Sequence, residues 1–274
     1  MTLKDGLLLY EARDAEKNST FIAWLITEAR ASGLCLTYMS YEDWLTKGMT
    51  RDKLDRLHFV INRTRDDVLA LNLELSGLRV FNNAEVTKVG NHKLWAYHFA
   101  RAHHFPYLPI VLRNMTSNEG VISKPVDGHG GEGIFVFDDC RGAKNQWDSL
   151  NYSEKKKMLM QKELSHITGD VRCYVIGGEI THCVLRKKTE HMFVTNYTKG
   201  ADIEIHTLSE QMKQQIEAFI APLNIDYAGV DFLMDDMGKY YFNEIEDVVG
   251  SRMLSALNVN DTVPRFVAHI KRNL

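Results

Sequence analysis

The sequence predicts an α/β (α+β) protein, and three observations carry that expectation. Across the first 85 residues, short apolar runs alternate with helical stretches, the pattern of a small doubly wound parallel sheet. Beyond residue 120, apolar runs come in pairs around glycine-containing turns, which is how antiparallel hairpins read. The last such pair, within residues 227–253, carries acids where a core strand should have none.

Composition bounds the rest. With 274 residues, 45% hydrophobic and 25% charged, the chain can bury a substantial core as an ordinary globular protein. A net charge of −3 gives no argument for a nucleic-acid or polyanion surface, and no nucleic-acid partner is expected. No stretch approaches the roughly 20 apolar residues of a membrane helix. The apolar run at 7–10 is too short for a signal peptide, so a cytoplasmic location is expected. Cys35, Cys140, Cys173 and Cys183 are widely spaced without a CxxC pair, as reduced thiols are. Oligomeric state leaves no signal in the sequence.

In chain order, residues 6–10 predict a buried strand, and Asn18 or Ser19 caps a helix over 20–31 that Gly33 stops. Strands follow at 36–39 and 57–62, a helix at 66–75 and a strand at 79–81. Ligands of doubly wound sheets bind beyond the carboxyl ends of strands. Arg63 and Arg65 stand at one such end and are candidate anion binders, with solvated surface arginines as the alternative. Asn91 is expected to cap a helix over 92–104. Lys93 lies in its first turn, an unfavourable place for a cation unless an anion is near.

Residues 120–137 are more informative. A strand ending in Lys124-Pro125 leads into a loop in which Gly128, Gly130, Gly131 and Gly133 fall within six positions. Such a loop can turn its N–H groups toward an anion, and a lysine on the strand beneath favours phosphate over a plain hairpin loop. It is not a Walker loop, because no GK[ST] follows. Residues 158–164 predict another strand, and runs at 171–175 and 180–187 flank a tight turn at Gly177-Gly178. Arg172 and Arg186 are embedded in these runs, and a buried arginine answers either a carboxylate or a phosphate. Ser209 caps a helix to 220, and a last helix begins after Asp261 with Pro264 in its first turn.

In the acidic hairpin, Asp231 interrupts the first strand, and Glu244 and Glu246 the second. Carboxylates this close need protons, cations or a divalent metal; Mg²⁺ suits hard oxygen ligands and shares itself with phosphate. Glu244 and Glu246 share a face because side chains alternate with period two. An even loop places Asp231 on that face too. A three-residue loop with a bulge at Gly238 puts it on the other, unless a second irregularity compensates.

Taken together over residues 82–255, these segments resemble the ATP-grasp superfamily, most closely its RimK-like branch of ribosomal-protein glutamate ligases. The resemblance implies an ATP-grasp fold with a pre-grasp domain over 1–85 and an ATP-grasp domain over 86–274. The latter divides into a glycine-loop subdomain at about 106–163 and a metal-site subdomain at about 164–274. It also implies ATP with two Mg²⁺ ions (or Mn²⁺) and an ADP-forming ligation of a carboxylate to an amine through an acylphosphate. The substrates would be small molecules or peptides.

The resemblance further implies roles for residues. Lys93 and Lys124 contact phosphate beneath the loop 128–133. Gln161, Lys162, Glu163 and Leu164 form the adenine hinge, Asp170 lies near the ribose, and Asn196 near phosphate and metal. Asp231 and Glu244 are metal ligands, while Arg186 faces the reacting centre. The family pattern ExN reads here Glu244-Ile245-Glu246, so Glu246 is either a third metal carboxylate or in need of a cation. Arg252 is a candidate either for a substrate carboxylate or for that partnership. A D-alanine–D-alanine-type ligase, a phosphotransferase, or a nucleotide-binding protein without ligation are the alternatives.

Overall fold

In the computed structural model, residues 3–111, 120–163, 166–187 and 202–274 are described. The chain opens with β1 (Lys4–Tyr10), α1 (Ala12–Lys17), α2 (Ser19–Ala31) and β2 (Leu34–Ser40). Like α1, the helices α3 (Tyr41–Lys47) and α4 (Arg51–Leu54) are not expected from the sequence; they precede β3 (Leu57–Arg63), α5 (Asp67–Leu75) and β4 (Arg79–Phe81). The four strands are parallel in the order β2-β1-β3-β4. Helices cover both faces, which is why β1 can read as continuous leucine. Leu7 and Leu9 pack with Ala70 and Leu73 of α5. Leu8 and Tyr10 pack with Phe21 and Leu25 of α2.

The chain then enters α6 (Ala84–Gly90) and α7 (Lys93–Ala102). The domain boundary expected at residue 85 thus falls inside a helix. Asn83 caps α6 by accepting from the Val86 N–H at 2.8 Å. Asn91, expected to cap α7, instead donates to the Thr87 carbonyl at 2.8 Å, and His92 holds the cap position.

Next come β5 (Val121–Pro125), β6 (Phe135–Phe137), α8 (Cys140–Ser149), α9 (Tyr152–Lys156) and β7 (Met158–Lys162). The three strands form an antiparallel sheet in the order β6-β5-β7. The helices α8 and α9 are polar and bury little: Ala143 is the buried residue of α8, and α9 has none. Their caps were nonetheless written in the sequence: Asp139 caps α8, and Asn151 and Glu154 form a reciprocal capping box on α9.

The remaining elements are β8 (Ile167–Ile176), β9 (Glu179–Lys187), β10 (Ile203–Ile205), α10 (Glu210–Ile220), β11 (Tyr227–Asp235), β12 (Tyr240–Glu246), α11 (Arg252–Ala256) and α12 (Thr262–Arg272). Their strands form an antiparallel sheet ordered β10-β9-β8-β11-β12. Alternation divides its residues between two faces. Val171, Cys173, Val175, Val230 and Phe232 pack against α7 and α10. Tyr174, Ile176 and Tyr227 face the other way and meet Phe21 of α2 and Phe266 of α12. The C-terminal helix therefore bonds the large sheet to the first domain. Cys173 and Cys183 face each other across β8 and β9 as free thiols, 3.3 Å apart.

The acidic hairpin takes the second turn alternative, the three-residue loop with a compensating irregularity, and not the even loop. Asp235 N–H bonds the Lys239 carbonyl at 3.1 Å, and Gly238 has φ 75°, which is a three-residue loop with the bulge glycine. A second irregularity lies between Asp231 and Phe232, where β12 carries Asn243 as an extra residue. The two slips cancel, and Asp231 stands directly opposite Glu244.

Candidate functional site

A cleft of about 550 Å³ lies between the small antiparallel sheet and the large one. One end is largely apolar, walled by Leu108, Ile122, Leu233 and the amide of Gln161. The middle runs between Lys93, Lys124 and the glycine loop on one side and Asn243, Glu244 and Glu246 on the other. The far end opens at Lys17, Gly250 and Arg252.

The glycine loop needs its glycines. Gly130, Gly131 and Gly133 have φ of 64°, 77° and 69°, and a Cβ on Gly133 would lie 2.8 Å from Pro125 Cγ. Lys93 ties the loop down by donating from Nζ to the Gly128 carbonyl, and it also lies 3.5 Å from Glu244. Lys124, on β5 beneath the loop, is buried and donates to the Tyr97 hydroxyl at 2.9 Å and to Asn243 Oδ1 at 3.3 Å. Burial pushes its ammonium down to about 8, against the pull of Glu244.

On the large sheet a charge network fills the cleft floor. Arg172 holds both oxygens of Asp231 at 2.7 Å and reaches Glu246 at 2.5 Å through Nη1. Arg186 bonds Asp170 from Nε and Asp231 at 2.7 Å from Nη2. Burial alone would raise the Asp231 carboxyl, but the two guanidiniums hold it well below the usual carboxylate range.

Residues 109–268 match the family model described as the RimK-like ATP-grasp domain, more than half of the chain. The chain belongs to the RimK-like ATP-grasp family. Among curated relatives, an uncharacterized protein of Mycoplasma genitalium is 26% identical, covering 93% of this chain and 88% of the relative. A probable alpha-L-glutamate ligase of Parasynechococcus marenigrum is 25% identical over 81% of this chain, which spans about half (51%) of that protein. The solved structure of D-cycloserine synthetase DcsG superposes with a TM-score of 0.72 at 15% identity, covering 98% of this chain and 99% of that one. The ATP-grasp ligase PsnB, complexed with minimal precursor, Mg and ADP, gives 0.70 at 16% identity, covering 100% and 99%. These two likenesses show the ATP-grasp fold, with the β-α-β start of the chain as its pre-grasp region.

Several residues expected at this ATP-grasp site are engaged in other contacts than those expected. Arg63 is 1% exposed. It donates to the Tyr10 hydroxyl and to the Asp247 and Val249 carbonyls, between the rings of Tyr10, Phe21 and Tyr227. It is a strut from β3 to the loop after β12, not an anion grip, because β3 ends under that loop rather than at solvent. Arg65, at φ 61°, pairs with Asp14 and lies 3.8 Å from Glu11, so its charge is already answered. At the hinge, the N–H groups of Lys162 and Glu163 bond the Pro109 and Gly120 carbonyls, at 2.9 and 2.8 Å, and so cannot donate to a purine. Asp170 lines the cleft, where it anchors Arg186. Leu164 and Asn196 lie outside the described residues.

Other residues in or beneath the cleft escaped the sequence reading. Tyr97 lies one turn beyond Lys93 on α7, a spacing that could have drawn attention to it. Asn243 reaches the cleft only because of the bulge, and Lys17 only because α1 packs near the loop at Gly250, where Asn18 Oδ1 would sit 3.3 Å from an added Cβ. Glu246 takes Arg172 as its cation, which leaves Arg252 without an ion-pair partner among the described residues.

Among the described residues no three acidic, histidine or cysteine side chains converge as a closed metal cage would. The donors present still fit Mg²⁺, which takes one or two carboxylates and completes its shell with water and phosphate oxygens. Glu244 is the best placed, 32% exposed to the cleft; Asp231 is enclosed by its arginines.

Proposed function

We propose that this chain is an ATP-dependent ligase that joins a carboxylate to an amine through an acylphosphate, acting on an amino acid or peptide. The observation that carries this reading is the cleft, in which two lysines and a glycine loop face Glu244 and Glu246 across a floor of buried arginines. The ligase names among its relatives and structural neighbours support it. ATP enters with its base toward Leu108, Ile122, Gln161 and Leu233 and its phosphates beneath Gly128–Gly133.

Lys93 and Lys124 offset phosphate charge, and the loop excludes water from the reacting centre. Bound Mg²⁺, held by Glu244, would polarise the phosphate oxygens. A substrate carboxylate oxygen takes the γ-phosphoryl group, and ADP departs. The amine nitrogen then attacks the acyl carbon, the carbon–oxygen bond to phosphate breaks, and the nitrogen loses its extra proton to solvent. Arg186 and Arg172, on the cleft floor, would supply donors to the developing oxyanion. Positioning supplies most of the catalysis, as elsewhere in phosphoryl transfer.

An ADP-release screen of amino acids and short peptides, followed by product mass, tests the reading. A product equal to acid plus amine minus water supports it; a product gaining phosphate makes the chain a phosphotransferase. The enclosure of Asp231 favours a second reading, nucleotide binding without ligation. ATP binding with no ADP release across the screen would establish that one.

A further inference from the structure

A chain of buried hydrogen bonds runs beneath the cleft from one end of the proposed nucleotide site to the other. Gln161 Nε2 donates to the Leu108 carbonyl at 3.0 Å. The Tyr97 hydroxyl donates to Gln161 Oε1 at 3.2 Å and accepts from Lys124 Nζ at 2.9 Å. Lys124 also donates to Asn243 Oδ1 at 3.3 Å. Tyr97 and Gln161 are each 1% exposed and Lys124 is 6% exposed.

The polarity of this chain has one solution. A carbonyl only accepts, so Gln161 must turn its NH₂ toward Leu108 and its oxygen toward Tyr97. That oxygen only accepts, so the tyrosine proton must go to it. The hydroxyl lone pairs then face Lys124, whose ammonium can only donate. With two of its three N–H bonds spent on Tyr97 and Asn243, Lys124 keeps one to direct into the cleft. No rotation about Cε–Nζ serves both partners otherwise.

We infer that Tyr97 is a positioning residue: through its hydroxyl it fixes the direction in which Lys124 presents its remaining N–H to phosphate, and it couples that direction to Gln161 at the apolar end. Tyr97 does not line the cleft, so it acts through these two side chains alone. Its ring is already held, stacked on Tyr107 with centroids 5.6 Å apart and edge-on to Phe242 at 6.3 Å. The hydroxyl is therefore surplus to packing. The inference rests on the nucleotide reading of the cleft.

The test is calorimetry on the full chain with Mg²⁺ and adenosine 5′-(β,γ-imido)triphosphate, comparing native, Tyr97→Phe, Lys124→Ala and the double variant. Tyr97→Phe should weaken binding about tenfold or more, the scale of a hydrogen bond to a charged group. In the Lys124→Ala background the same change should weaken binding far less, because the group it positions is gone. Adenosine, which lacks phosphate, should lose much less affinity than the triphosphate analogue. Equal losses in both backgrounds, or native affinity in Tyr97→Phe, would overturn the inference. Should Tyr97→Phe fail to fold, Asn243→Leu against Lys124→Ala asks the same question from the other partner: additive losses there remove the clamp, and non-additive losses support it. A native chain that binds no analogue overturns this inference and the nucleotide reading together, whereas native binding with an indifferent Tyr97→Phe overturns this one alone.

Discussion

Arg172 grips both carboxylate oxygens of Asp231 at 2.7 Å, from the strand directly beside it in the large sheet. Arg186 reaches the same carboxylate at 2.7 Å from one strand further away. Asp231→Asn would leave two buried guanidiniums short of charge. The expected cost is about 3–5 kcal/mol of folding stability, as when one partner of a buried pair is removed. Urea unfolding would measure it, and a variant as stable as the native chain would show that the network contributes no net stability.

Glu244 offers the contrast. It is 32% exposed, and its nearest cation, Lys93, is 3.5 Å away. Glu244→Gln should therefore change stability by less than about 1 kcal/mol while abolishing ADP release. A thermal melt beside the turnover assay separates the two effects. Turnover at the native rate would remove Glu244 from the metal site.

Asp247 gives a pH signature. It is 1% exposed, one of its oxygens has no hydrogen-bond partner, and burial raises its carboxyl to about 6, with Arg63 opposing. The folded state thus binds this proton more tightly than the unfolded chain does. Its effect on stability is most favourable below pH 4 and is lost as pH rises through 6. The native chain should lose about 2–3 kcal/mol relative to Asp247→Asn between pH 4 and 7. Parallel unfolding curves at the two pH values check this, and a difference independent of pH would contradict it.

Lys17 and Arg252 mark the mouth of the cleft, and neither has an ion-pair partner among the described residues. Under the ligase reading Arg252→Ala should raise KM for the carboxylate substrate about tenfold or more, the scale of a charge-assisted hydrogen bond. Affinity for ATP should stay unchanged. Steady-state kinetics with each substrate varied in turn would show the split; a matching loss of ATP affinity would place Arg252 on the nucleotide instead.

Much of the fold was legible because it follows local rules. The parallel start, the turn at Gly177-Gly178 and the glycine loop announce themselves through period and turn chemistry. The helices α8 and α9 were missed because their polar sequences bury little, though their capping residues were visible. Arg63 read as an anion binder because a strand end is where ligands gather. Its real partners are carbonyls some 180 residues later, at Asp247 and Val249, and no local pattern reports them.

By itself, then, the sequence determined which residues could handle phosphate: lysines, glycines and acids, set in order along one chain. Their chemistry does not depend on what surrounds them. Only the tertiary structure decided which charges are already spent. A bulged turn and a strand bulge that cancel bring Asp231 opposite Glu244, and strand pairing then delivers two arginines to Asp231 and one of them to Glu246. A charge is neutralised by whatever lies within a few ångströms of it, and that distance is set by folding, not by spacing along the chain.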